Sequence, residues 1–354
     1  MEKFSKIIVP AIIGLSAVGA LYVCCTHTLS RRSRAAQIDM PSTPSLPEVR
    51  RARLIFAGDL MQHTPQLTAA RTPEGDFDFN ASFDWVRERF RAADAAIVNL
   101  ETTLSESGPY TGYPCFRSPA ALAEALDSLG VDITVLANNH CCDGGSKGIR
   151  TTIRELDRHG IEHTGVFLDS SDFRARHPLR FEAGGIRFAL LNYTYGTNGL
   201  PVPSGLSVNP IDTVRIAADL AVEHDGVDCV IACMHWGNEY ERRPNKVQRQ
   251  LAGFLRRHGV DLIVGSHPHV VQPYEQDSNG IVLYSLGNFV SNQRKRYCDG
   301  GIVATVEVTR SPDGSLRYSL ELTPVWVLTP GYRITPSATP SPCRPIHGCG
   351  TSDS

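Results

Sequence analysis

Short apolar runs alternate with longer amphipathic segments through most of the chain. Arg53–Ala57 is an apolar run that ends in Gly58-Asp59 and reads as a strand entering a loop. Ala95–Leu100, Asp132–Ala137, Ile186–Tyr193, Val227–Met234, Val260–Val264, Ile281–Tyr284, Ile302–Thr309 and Leu316–Leu322 also read as strands. Between them, Phe83–Arg91, Pro119–Leu129, Ile149–His159, Ile211–His224 and Asn245–His258 read as helices. Ser118 with Pro119 offers an N-cap and first turn. Gly130, Gly160 and Gly259 offer stops, because glycine accepts the left-handed backbone that ends a helix. This alternation predicts an α/β body, with antiparallel pairing among the last strands. No internal repeat is visible.

The ends of the chain have a different texture. Residues 7–25, IIVPAIIGLSAVGALYVCC, are almost continuously apolar, with Lys3 and Lys6 before them and Arg31, Arg32 and Arg34 after. A membrane-crossing helix needs about 20 apolar residues. The run exceeds an ordinary signal h-region and no small-residue cleavage motif follows it. Residues 1–30 are therefore expected to be an uncleaved anchor, ahead of a cleaved signal or a lipoprotein. Its flanking charges do not decide its orientation. Residues 31–50 are rich in Ser, Pro and Arg and read as a linker. The folded body is expected over 51–330, and 331–354 is expected to be a Pro- and Ser-rich tail.

Composition narrows the function classes. The chain has 354 residues, enough for one large domain with a proper core. A formal net charge of −2 implies no basic face, so no nucleic acid partner is expected. Ten cysteines show no paired CxxC spacing of a structural zinc site. Cys229 and Cys233 fall in one apolar run and read as buried small hydrophobes, whereas Cys343 and Cys349 are spaced to close a small loop in an oxidising compartment.

The chemistry lies in a positional pattern. Metal-capable residues repeatedly follow apolar strands: Asp59 with His63; Asn99 and Glu101; Asn138, Asn139 and His140 with Asp143; His235 with Glu239; Ser266, His267 and His269; and Asn288. Each group alone is more simply a turn, a cap or a core histidine. In α/β sheets, however, ligands bind beyond the carboxyl ends of strands, so these groups are expected to share one rim. Carboxylate, imidazole and amide oxygen together suit Zn, Mn or Fe better than Cu(I) or Ca. His267 and His269 alternate along an expected extended segment, which would turn both imidazoles to one side.

In order along the chain, LIFAGDLMQH, IVNLETTLS, LANNHCCDGGSKGI, CMHWGNEY with Pro244 and Gln248, DLIVGSHPHVVQP and LYSLGNF resemble the CapA family, tied to poly-γ-glutamate capsule synthesis. The resemblance covers roughly residues 53–290, and the joint occurrence of ANNHxxDxG, HWGxEY, GxHPHVVQ and SLGNF makes it specific. The family is similar in fold to calcineurin-like metallophosphatases. The resemblance thus implies a four-layer α-β-β-α sandwich with a metal centre at its strand ends. It further implies Asp59, Glu101, Asn139, His235, His267 and His269 as metal ligands. His140 would assist the leaving group and Asp143 would orient it. Two departures stand out. Met61 occupies the position of the histidine in the phosphatase Asp-x-His motif, and Glu101 replaces the bridging aspartate. Whether one or two divalent ions bind therefore stays open, as does whether His63 serves as an additional ligand.

If the site is catalytic, metal-assisted phosphoester hydrolysis is the implied reaction, with Arg117 and Arg150 as candidates for meeting substrate charge. The rival expectation is a non-catalytic capsule component that binds the anionic polymer or supports synthase subunits. Either way the apolar N-terminal run predicts a single-pass protein of the cell membrane, and the resemblance implies that its main domain is extracytoplasmic.

Overall fold

A computed structural model describes residues 48–222 and 226–337. The expected anchor, most of the linker, Cys343 and Cys349 with their expected loop, and the last residues lie outside the described residues. Among the described residues, no helix is long and apolar enough to cross a membrane.

Two sheets organise the body. The first runs in the order β18 (Arg333–Pro336), β17 (Leu316–Leu328), β16 (Gly300–Arg310), β1 (Arg50–Leu60), β2 (Ala95–Leu100), β5 (Ile133–Val135) and β6 (Glu162–Thr164), with β15 (Asn288–Val290) pairing the end of β1. The strands from β1 to β6 pair in parallel, while β16, β17 and β18 add antiparallel neighbours. The second sheet runs β13 (Tyr274–Asp277), β14 (Gly280–Leu283), β12 (Leu262–Ser266), β11 (Cys229–His235), β9 (Ile186–Thr194) and β8 (Leu179–Ala183). Two short pairs complete the strands, β3 (Thr103–Ser105) with β4 (Arg117–Pro119) and β7 (Val166–Phe167) with β10 (Ser207–Val208).

Strand alternation divides the core into three slabs. Leu54, Phe56, Ile97 and Ile133 of the first sheet face Phe188, Leu190, Ile231 and Ile281 of the second. Their neighbours Ile55, Ala57, Ala96 and Val98 point the other way. There they meet α2 (Arg87–Arg91), α3 (Ala121–Leu129) and α4 (Gly145–Arg158) through Phe90, Leu126 and Ile153. On the far side, Leu191, Val230, Ala232 and Ile263 are covered by α6 (Thr213–Val222) and α7 (Lys246–Arg257). Helix, sheet, sheet, helix is the four-layer sandwich expected. Each large side chain buried in these slabs contributes about 1.5–3 kcal/mol. Two further short helices are α1 (Thr64–Ala69) and α5 (Ser170–Arg176).

Several local expectations are revised. Within Phe83–Arg91 only Arg87–Arg91 is α-helical, after a 3-10 turn at Asn80–Ser82. Ser118 does not cap a helix. Pairing with β3 holds it extended in β4, and its buried hydroxyl lies 2.7 Å from that of Thr102. β17 continues to Leu328, well past Leu322. β18 falls within the residues expected to be tail, and Ile334 is fully buried because it packs under the first sheet's helices. By contrast, Asn245 does cap α7, with Gln248 closing a reciprocal capping box.

Candidate metal centre

β1 carries Asp59 to the carboxyl edge of the first sheet, in register with Asn99 on one side and Asn288 on the other. The approach is tight. A Cβ at Gly58 would lie 2.0 Å from the carbonyl oxygen of Gly287, so only glycine lets β1 pass here. β11 and β12 bring His235 level with Ser266 at the same edge of the second sheet.

The two edges meet around Asp59. Its Oδ1 accepts from Asn99 Nδ2 at 2.8 Å, and the backbone N–H of His267 points at both carboxylate oxygens. His269 Nδ1 lies 3.0 Å from Asp59 Oδ2 and 3.1 Å from Asn288 Oδ1. His235 Nε2 lies 2.8 Å from Asn139 Oδ1 and 3.7 Å from Glu101 Oε1, while its Nδ1 meets Ser266 Oγ at 2.9 Å. Ligand atoms of Asp59, Glu101 and His235 lie within 4.8 Å of one another, and so do those of Glu101, His267 and His269. Glu101 belongs to both groups.

The histidine pair converges for a different reason from the one the spacing suggests. β12 ends at Ser266, and the backbone then turns left-handed at His267 (φ 96°) and His269 (φ 58°). These are costly conformations for residues with a Cβ. A tight bend, not strand alternation, sets the His269 ring on Asp59 and gathers both imidazoles with Glu101.

The electrostatics favour a cation. Burial, then the neighbouring Asp59 charge, push the Glu101 carboxyl well above its usual range. Burial and the adjacent imidazoles hold His235 well below the usual histidine value and His267 down at about 3, so both rings are neutral. Glu101 Oε1 and His267 Nδ1 are buried with no hydrogen-bond partner. Two buried carboxyl groups among neutral imidazoles, with Glu101 Oε1 and His267 Nδ1 left without partners, fit a divalent cation held by mixed O and N donors.

Beside the cluster, His140 Nδ1 lies 2.7 Å from Asp143 Oδ2, which also accepts the Phe116 backbone N–H at 2.6 Å. Phe116 packs edge-on against the His140 ring. His140, Asp143 and Asn139 line a cleft of about 260 Å³ with Tyr113, Cys115, Asn198 and Glu239. Asn139 thus touches both cluster and cleft. His63 lies across Phe116, with ring centroids 4.9 Å apart, and its Nδ1 accepts the Asn292 backbone N–H. It belongs to neither of the two ligand groups. Burial holds its ring down at about 4. Arg117 stands on β4, and Arg150 is exposed on α4, where it adds to a lowering of the Asp169 carboxyl caused chiefly by the Asp172 and Ser171 amides.

Other functional side chains escape the sequence reading. Asn99, Ser266 and Asn288 stand in the strand-end motifs, but their part in holding Asp59, His235 and His269 emerges only in three dimensions. Tyr195 and Asn198 are not singled out at all. Tyr195 packs 4.5 Å from His267 and hydrogen-bonds Asn139, whose Nδ2 also donates to Asn198 at 3.2 Å. The available signal is position, because both follow the end of β9.

The chain is 28% identical over 245 residues to the PGA biosynthesis protein CapA of Bacillus subtilis, covering 67% of this chain and 63% of that protein. It is 32% identical over 176 residues to the capsule biosynthesis protein CapA of Bacillus anthracis, covering 48% and 42%. A probable polyglutamine synthesis accessory protein of Mycobacterium tuberculosis is 26% identical over 219 residues, covering 57% of this chain and 56% of that protein. The chain thus spans less than two thirds of the length of each of these relatives. A solved structure described as a novel phosphatase from Mycoplasma pneumoniae overlaps 78% of this chain and 95% of its own, with a TM-score of 0.47 and 13% identity. The family model described as bacterial capsule synthesis protein PGA_cap matches residues 53–293, and the chain belongs to that family.

Proposed function

We propose that this protein serves poly-γ-glutamate or related capsule synthesis through a divalent-metal site that hydrolyses a phosphoester or similar bond. The observation that carries the reading is the junction at Asn139. Its Oδ1 meets a ligand atom of His235 inside the cluster, while its side chain lines the cleft that holds the His140–Asp143 pair.

Asp59, Glu101, Asn139, His235, His267 and His269 would hold Mn, Zn or Fe. When bound, such an ion supplies Lewis acidity, making water a nucleophile near neutral pH and stabilising charge on phosphoryl oxygens. The chain's own residues do the rest. His140 donates a proton to the leaving oxygen. Asp143 fixes that ring through Nδ1, and the Phe116 amide fixes Asp143. Asn99, Ser266 and Asn288 hold the carboxylate and imidazoles in place. The proposal includes anchoring by residues 7–25, with the body outside the membrane and next to synthase subunits.

Full-length protein loaded with Mn or Zn should hydrolyse a generic aryl phosphate and lose that activity on His140→Ala. Metal-loaded, folded protein that hydrolyses no phosphoester contradicts the catalytic reading. Poly-γ-glutamate contains no phosphate, and that fact favours a second reading, in which the site supports polymer handling without catalysis. Cells that make normal polymer with His140→Ala but none with His267→Ala would support the second reading.

A further inference from the structure

We propose that a basic, tyrosine-backed strip beside the metal centre binds a polycarboxylate chain. The inference rests on the poly-γ-glutamate reading above and gives it a surface. The strip comes from two loops far apart in sequence. In one, Tyr240 is followed closely by Arg242; in the other, Lys295 and Arg296 precede Tyr297. Lys295 Nζ sits 3.9 Å from the centre of the Tyr240 ring, and Arg242 and Arg296 lie over the Tyr297 ring at 4.1 and 4.8 Å. The Tyr240 ring in turn lies 6.2 Å from that of His269, so the strip begins at the cluster.

Its rigidity argues for a purpose. The Tyr240 N–H donates to the carbonyl of Pro268, the residue between the two cluster histidines. Gln272 donates to the carbonyl of Glu241 and is itself held by Gln248. Tyr240 and Tyr297 both adopt left-handed backbone, φ 67° and 76°. Arg294, in the same segment, is used internally, donating to the carbonyl of Val327 and lying over Tyr332. Among the described residues, the side chains of Arg242, Lys295 and Arg296 donate to no backbone carbonyl, and each rests on a tyrosine ring. Among the described residues none of the three pairs with a carboxylate, although Glu239 and Glu241 stand in the adjoining loop.

Cations stacked on aromatic faces keep their N–H edges free for carboxylate oxygens. Several of them on two loops match repeated charges along a chain better than a single phosphate. A net charge of −2 over the whole protein conceals this local face.

The test is fluorescence anisotropy of labelled poly-γ-glutamate of defined length against the full chain at low salt. Affinity should fall steeply with ionic strength, and the triple variant R242A/K295A/R296A should bind roughly tenfold more weakly. The single variant Lys295→Glu should weaken binding in the same direction, whereas the double variant R242K/R296K, which keeps both charges, should retain most of the parent's affinity. Unchanged affinity in the folded triple variant overturns the proposal. So does equal binding of a single-stranded oligonucleotide of matched charge, or a triple variant whose only defect is a raised KM for aryl phosphate. The two readings fail separately. Charge-dependent polymer binding in a protein without phosphoesterase activity sinks the hydrolase and leaves the strip. Normal hydrolysis with polymer affinity insensitive to the three cations does the reverse.

Discussion

Two groups of buried histidines among the described residues differ in what surrounds them. In the first, His235, His267 and His269 converge with Asp59 and Glu101 at the edges of both sheets. In the second, His163 on β6 is fully buried and its ring is held down at about 4, chiefly by burial and then by the Arg176 charge. Yet His163 faces Asp157 at 3.4 Å, and Arg176 binds both Asp157 and Glu162. Nearby, His177 pairs with Asp219 at 3.0 Å and meets Asn209. The second region is a neutralised brace joining β6, α4 and α5. Burial and a lowered imidazole therefore do not mark a site. Convergence of several carboxylate and imidazole ligand atoms on one point does.

The comparison can be broken by substitution. Asp59→Ala or His267→Ala should abolish metal binding and reduce any hydrolysis by at least about a thousandfold, because each removes a buried donor. His163→Leu should leave metal content unchanged, as read by elemental analysis. Within the first region, His140→Ala should lower turnover about 10²–10⁴-fold at unchanged metal content, and Asp143→Asn should cost about 10–100-fold. Steady-state kinetics with parallel metal analysis separates these roles.

The second region makes a pH prediction. His163 has a folded value of about 4, below an ordinary histidine's roughly 6.5, so between those values the unfolded chain binds more protons than the folded one. Stability from this group is complete above pH about 6.5 and is lost as pH falls towards about 4, by no more than about 3 kcal/mol. His163→Leu should flatten that acid limb in denaturant titrations. An unchanged slope would mean that His163 is already satisfied when charged. The smallest effect concerns Asp228, held at about 2 mainly by its hydrogen bond from Arg187. Asp228→Asn should cost on the order of 1 kcal/mol at neutral pH, with the difference shrinking as pH falls from about 4 towards 2.

Much of the fold was legible because apolar periodicity is imposed by the slabs. β9, β11 and β12 are buried on both faces and read as continuous apolar runs, while Gly130, Gly160 and Gly259 mark helix ends with left-handed backbone. Short strands were not legible. β3 and β4 are defined by pairing with each other and β18 by a hairpin with β17, and three or four residues carry no period. The strand-end residues were visible as types and positions, and the described structure brings Asp59, Glu101, Asn139, His235, His267 and His269 together. The left-handed bend at His267 and His269 was hidden, because nothing in Ser-His-Pro-His reports φ. Tyr195 and the basic strip were hidden too, since their meaning depends on which distant loop lies opposite.

The most direct measurement is the metal content of purified full-length protein by mass spectrometry, beside Asp59→Ala and His267→Ala made identically. The account predicts bound Mn, Zn or Fe at one or two ions per chain in the parent and a loss in both folded variants. A metal-free parent that takes up none of these ions on titration, or variants with undiminished content, would contradict it.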